Sequence, residues 1–79
     1  MKLSIADITD TVVYYEANVW AINKGDPLLL EHYTSKKECI NAINKFVSQY
    51  KGKEKLDCYI NRFIGDEWVA SWEYVRVGL

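Results

Sequence analysis

Hydrophobic and polar residues alternate in two stretches of the chain and recur at helical spacing in a third stretch between them. Residues 12 to 22, Val-Val-Tyr-Tyr-Glu-Ala-Asn-Val-Trp-Ala-Ile, are rich in β-branched and aromatic types and run into the turn formers Asn23-Lys24-Gly25-Asp26-Pro27. This combination predicts a strand and a tight turn, with Leu28 to Tyr33 as the returning arm of a β-hairpin. The period then changes. Ser35-Lys36-Lys37-Glu38 has the form of a capping box, in which hydroxyl and carboxylate satisfy the amide donors at a helix start. Ile40, Ile43, Val47 and Tyr50, flanked by Cys39, Ala42 and Phe46, build one apolar stripe for a helix from about residue 36 to 51, with Gly52 as its left-handed C-cap. Lys53-Glu54-Lys55 links to a second hairpin: Leu56 to Ile64, a turn at Gly65-Asp66, and Glu67 to Val77. Before the first hairpin, Leu3 to Ile8 fits either a short edge strand or a helical turn capped by Ser4. The order predicts a single α+β domain over residues 1–79, ββαββ, with a four- or five-stranded antiparallel-rich sheet and one amphipathic helix packed on one face.

Paired residues on neighbouring strands share a face, so each hairpin can be divided into two sides. With Gly65-Asp66 as the turn, Phe63 pairs with Trp68, Tyr59 with Trp72 and Asp57 with Tyr74, which places all six on one face. Leu56, Cys58, Ile60, Ile64, Val69, Val75 and Val77 fall on the other. With Lys24-Gly25 as the first turn, Val13, Tyr15, Ala17, Val19, Ala21, Leu28 and Leu30 form an aliphatic side. Tyr14, Glu16, Asn18, Trp20, Ile22, Leu29, Glu31 and Tyr33 then form an aromatic and acidic side. One helix can cover only one face, so the aromatic side, with all three tryptophans, is expected to face solvent unless the N-terminal segment folds across it. A slip of one residue in either turn exchanges the faces of that hairpin.

Composition gives this aromatic side its weight. In 79 residues, 14% are aromatic, 27% are charged and the net charge is −1. A chain this short cannot build a large enzyme, and its apolar content excludes a disordered chain. Charge is divided in space. Between Lys36 and Lys55 six lysines face two glutamates, for a net of +4, while the rest of the chain carries −5. The N-terminus meets Asp7 and Asp10 before any apolar run, and no stretch is long enough to span a bilayer, so the expected location is cytoplasmic. Cys39 and Cys58 are expected to be buried free thiols.

Chemistry-bearing constellations are scarce. His32 is the sole histidine, and its spacing to Cys39 and Cys58 matches no zinc pattern, so no metal or cofactor is expected. Cys39, in the first helical turn, could pair with His32 as a nucleophile, but its place on the apolar stripe favours packing. Gly25, Gly52, Gly65 and Gly78 form no phosphate loop, and Asp66-Glu67 stands at an open hairpin tip. No catalytic residues are expected. The leading expectation is a non-enzymatic protein-binding module. Its contact residues would be Tyr14, Glu16, Trp20, Glu31, Tyr33, Tyr59, Phe63, Trp68, Trp72 and Tyr74, engaging a partner protein or a second copy as a homodimer. Small standalone domains of this kind are common among phage-encoded inhibitors of host defence proteins, and that class is the expected setting. The alternative is nucleic-acid binding through Lys45, Lys51, Lys53 and Lys55, which would be weak and salt-sensitive.

Overall fold

The structure is a computed structural model that describes the backbone of residues 1–77 and the side chains of residues 1–72. Its strands are β1 (Lys2–Leu3), β2 (Val13–Ala21), β3 (Pro27–Tyr33), β4 (Leu56–Ile64) and β5 (Glu67–Val77), and its helix is α1 (Lys36–Gln49). The strands form one antiparallel sheet in the order β1-β3-β2-β4-β5, and α1 packs on one side of it, over β2 and β3 and the near part of β4. The α+β architecture is therefore the expected one. The N-terminus adopts both of its expected forms in succession: Lys2–Leu3 extends the sheet beside β3, and Ile5–Asp7 is a 3-10 turn whose Asp7 carboxylate accepts from the Ser4 N–H at 2.9 Å.

The core lies between sheet and helix. Ala17, Val19, Ala21, Leu56, Cys58 and Ile60 from the two central strands meet Cys39 and Ile43 of α1, all at most 2% exposed. Alanine and cysteine on the strands leave room for the helix to approach, and the larger Ile43 fills the gap. Ser35 caps α1 as expected, accepting from the Glu38 N–H at 3.2 Å. The helix stops differently. Tyr50 is its C-cap in an extended conformation, and its ring folds back over Gly52, where a β-carbon would overlap it, so that its hydroxyl donates to Glu54 at 3.0 Å. Gly52 is thus not a left-handed cap; it is glycine because an aromatic ring occupies the space of a side chain. Gly65 does need the left-handed region, with φ of 60°, and a β-carbon there would also fall 2.6 Å from the Asp10 carbonyl oxygen.

Two expected registers slip, and each slip turns side chains over. The β2–β3 connection spans residues 22 to 26 and is closed by Lys24 N–H to Ala21 O at 3.1 Å, with Asn23 at φ 75°. A bulge near Val19 and Trp20 then pairs Tyr15 with Tyr33 and Val19 with Leu29. Leu29, Glu31 and Tyr33 therefore face the helix, and Leu30 and His32 face away, the reverse of the expectation. In the second hairpin Phe63 pairs with Trp68 as expected, but irregularities at Arg62/Phe63 and Cys58/Tyr59 each add one residue to β5. Trp72 now stands opposite Ile60 and turns to the helix side, and Asp57 pairs with Arg76 instead of Tyr74. The Tyr74 side chain lies outside the described residues.

Candidate binding face

The side of the sheet away from α1 is built from alternate residues of the central strands. Tyr14, Glu16, Asn18 and Trp20 come from β2, Asp57, Tyr59, Asn61 and Phe63 from β4, His32 from β3, and Trp68 and Ser71 from β5. Of the expected contact residues, the structure brings together Tyr14, Glu16, Trp20, Tyr59, Phe63 and Trp68 on this side. It removes Glu31, Tyr33 and Trp72 to the opposite side. Asp57 keeps its expected face, and Asn61 and Ser71 join the site unexpectedly, although Asn61 sits at every second position of β4 with Asp57, Tyr59 and Phe63, a signal that strand periodicity carries by itself.

The two ends of this face differ in character. At the N-terminal end of β2, Tyr14 is only 6% exposed, stacked on Phe63 with centroids 5.2 Å apart and met edge-on by His32 at 5.4 Å. Leu3, paired with His32, is buried there too. The chain from Ser4 to Val12 runs from this β3 edge to the β4–β5 turn, where the Val12 carbonyl accepts from the Gly65 N–H at 2.8 Å. A small second core thus closes one end of the face. Toward β5 no described side chain closes it. Asp57, Tyr59, Asn61, Phe63, Trp68 and Ser71 line an open groove of about 580 Å³, and the Trp68 indole is 64% exposed.

Between the two ends lies a hydrogen-bonded chain centred on Glu16. One carboxylate oxygen meets His32 Nε2 at 3.0 Å, and the other accepts from Asn18 at 3.0 Å and Asn61 at 3.2 Å. Asn18, 2% exposed, accepts in turn from the Trp20 indole at 3.3 Å. A half-buried carboxylate is tolerated because donors surround it. Glu16 therefore holds the face together from within, since both of its oxygens are engaged inside the chain. Burial, with Glu16 and Asp57 nearby, pushes the Tyr59 hydroxyl above its ordinary pKa, so it stays a neutral donor and acceptor.

The remaining candidates fall elsewhere. Cys39 and Cys58 are free and fully buried in the core, and burial pushes their thiols up to about 12 and about 11. His32 lies on the opposite side of the sheet from Cys39, so the two cannot act as a pair. Lys45, Lys51, Lys53 and Lys55 are exposed on α1 and the segment after it. Among the described residues no group of three or more His, Cys, Asp or Glu could hold a metal ion, and no helix is long and apolar enough to cross a membrane.

Searches with protein-family models, curated proteins and solved structures give no match to the chain. Its functional reading rests on this face.

Proposed function

We propose that the protein is a non-enzymatic protein-binding module whose interface is the open end of the sheet around Trp68. The observation that carries this reading is the 64% exposed indole of Trp68 on the rim of a groove walled by Phe63 and Tyr59. Most of this indole stays in water in the isolated fold, where its N–H donates to the Ala70 carbonyl at 2.9 Å, whereas tryptophan and tyrosine anchors dominate the energetics of protein interfaces. The face beneath is prepared: the Glu16 network and the Tyr14 stack fix the strands that present the rings, so little order has to be imposed on binding. The finer reading, an inhibitor that occludes a surface of a host protein, is supported by the small size and needs no catalytic group. A photo-crosslinking residue at Ser71, beside the groove, tests the interface in the native cellular setting against the same residue at Lys45 on the helix. A discrete adduct from position 71 that is lost with Trp68→Ala supports the interface; equal labelling from both positions, or none, overturns it.

A second reading, nucleic-acid contact on the helix side, has its own observation in favour. Lys36 Nζ lies 4.2 Å from the Trp72 ring centroid, the Tyr15 and Trp72 rings are 6.3 Å apart, and Arg62, opposite Tyr15, has a buried Nε with no hydrogen-bond partner. Cations beside rings suit phosphates and bases. This reading expects binding to oligo-dT that falls steeply with salt and is lost on Lys36→Gln or Arg62→Gln, or on reversing Lys51, Lys53 and Lys55 to Glu.

A further inference from the structure

The strand β3 is only partly covered by its outer neighbour. Lys2 and Leu3 of β1 pair with Tyr33 and His32, and the chain then turns away at Ser4. Residues 27 to 31 therefore have no strand on that side among the described residues. One bond fixes the phase of this edge. The Thr34 N–H donates to the Met1 carbonyl at 3.0 Å, so by the alternation of an antiparallel ladder His32 and Leu30 also turn their N–H and C=O groups toward the β1 side. His32 meets Leu3 there, whereas Leu30 meets no described group.

The vacant lane has a side-chain pocket beside it. Ala42, Lys45, Phe46 and Gln49, on one flank of α1, enclose a hollow of about 220 Å³ with Leu29 and Glu31 of the uncovered stretch. That volume is below the range of small-molecule sites and suits one side chain. Leu29 and Phe46 make it apolar, and on the other side of the strand Leu28 and Leu30 are exposed. A free strand edge beside a preformed pocket is how sheets take up an extended peptide. Ladder bonds supply affinity and the pocket selects alternate side chains.

The charge left free around this lane is positive. Glu31 is the carboxylate of the hollow, and both of its oxygens are taken, one by Lys2 at 2.7 Å and the other by the Tyr33 hydroxyl at 2.7 Å. Lys45 lines the same hollow, yet its ammonium makes no hydrogen bond or ion pair among the described residues. At one end of the lane Glu38 is bound to the amino terminus, and at the other Lys24 and Asp26 of the β2–β3 connection offset each other.

We propose that this lane takes up an extended segment of a partner protein as an added strand, with an apolar side chain in the hollow and an acidic one two residues along, facing Lys45. Residues two apart on a strand share a face, so both reach the α1 side. This is a second contact surface, separate from the groove around Trp68 and independent of the reading of that groove. A second copy of the chain fits the lane less well. Its β3 edge would bring another Lys45 alongside the first and no free carboxylate, and like charges across an interface oppose pairing.

The test is an NMR titration of the ¹⁵N-labelled full chain with acetyl-Asp-Val-Leu-Val-Asp-amide. The comparison probes are acetyl-Lys-Val-Leu-Val-Lys-amide and the acidic peptide N-methylated at both valines. The expected result is a saturable shift of the amides of residues 28 to 31 and 42 to 49, with slowed hydrogen exchange at Leu30. The acidic peptide should bind about twofold to fivefold more tightly than the basic one, and Lys45→Glu should reverse that order. N-methylation should abolish binding, because it removes the donors that face β3. Lys45 is exposed, and unchanged spectra away from α1 show that the variant remains folded. Equal binding of the N-methylated peptide, saturation at the Trp68 groove instead, or no saturation at tens of millimolar peptide overturns the proposal. Protection of Leu30 in the free chain that grows with protein concentration puts a second copy in the lane and overturns it as well.

Discussion

Trp68 and Trp72 are four residues apart on one strand, yet they serve opposite faces of the sheet. Trp68 projects from the open face beside Asp57 and Tyr59. Trp72 packs against the helix-side core, tilted toward Tyr15, with Lys36 over its ring and Arg62 one strand away. On an uninterrupted strand both would point the same way. One extra residue near Val69 separates them, so a local irregularity in β5 decides which indole packs on the core and which stays exposed on the open face. The lesson is that the number of aromatic residues in a small domain says little until the register is known.

The largest expected effect breaks the comparison at the level of stability. Ile60, opposite Trp72, is completely buried between sheet and helix, and Ile60→Ala should destabilise the fold by about 2–5 kcal/mol in urea denaturation. Trp68→Ala should change stability by less than about 1 kcal/mol, because most of the indole never leaves water. If Trp68→Ala proved as costly as Ile60→Ala, the indole would be part of the core and the open face would not exist.

Next in size is the network that holds the open face. Glu16→Gln keeps the shape but replaces one of its acceptor oxygens with a donor, against His32, Asn18 and Asn61. The expected loss is about 1–3 kcal/mol, the cost of leaving half-buried donors unmatched. His32→Gln, which vacates one arm only, should lose less. A neutral result for Glu16→Gln would mean that the carboxylate is solvated and that the strands present the groove without its help.

The contrast between the indoles themselves can be read by fluorescence. Trp68→Phe should remove the signal most accessible to acrylamide, whereas Trp72→Phe should remove a shielded one, leaving a protein that is quenched more readily than the parent. Measured at several concentrations alongside sedimentation, the same experiment tests self-association: protection of Trp68 that disappears on dilution identifies a second copy on the open face. The reverse order of quenching would restore an uninterrupted β5 and exchange the two sites.

How much of this could be read from the residues varies strand by strand. In β2 the alternation of Tyr14, Glu16, Asn18 and Trp20 with Tyr15, Ala17, Val19 and Ala21 is decisive, because only one set is small enough to lie under a helix. β4 is as clear, with Leu56, Cys58 and Ile60 on one side and Asp57, Tyr59 and Asn61 on the other. In β3 the run Leu28-Leu29-Leu30 is apolar on both phases, so either face is acceptable and the choice falls to the length of the connection before it. That length depends on Asn23 adopting a positive φ and on Pro27 opening the strand, where its missing N–H does least harm. The irregularities in β5 have no glycine or proline to announce them. Gly52 shows the limit from the other direction: its position suggested a cap, but the reason for glycine lies in the Tyr50 ring. The segregation of charge was legible, since it depends only on which segments carry the lysines.

The smallest expected effect tests the β3 register through pH. Lys2 pairs with Tyr33 and shares its face, so Lys2 can reach Glu31 only if Glu31 also points to the helix side. The hydrogen bond from Lys2 at 2.7 Å, helped by one from the Tyr33 hydroxyl at 2.7 Å, holds the Glu31 carboxyl below the usual carboxylate range, although burial works against it. A carboxyl whose pKa is lowered in the folded state adds stability above its unfolded pKa, and that increment is lost as the pH falls through the folded value. On acidification below about pH 4.3 the protein should therefore lose a contribution that Glu31→Gln and Lys2→Gln both lack. With Lys2 61% exposed and the pair screened by water and salt, the difference should be only a few tenths of a kcal/mol in acid-range urea titrations. In the alternative register Glu31 would stand beside the aromatic groove, out of reach of Lys2, and Lys2→Gln would leave the acid limb of the stability profile unchanged.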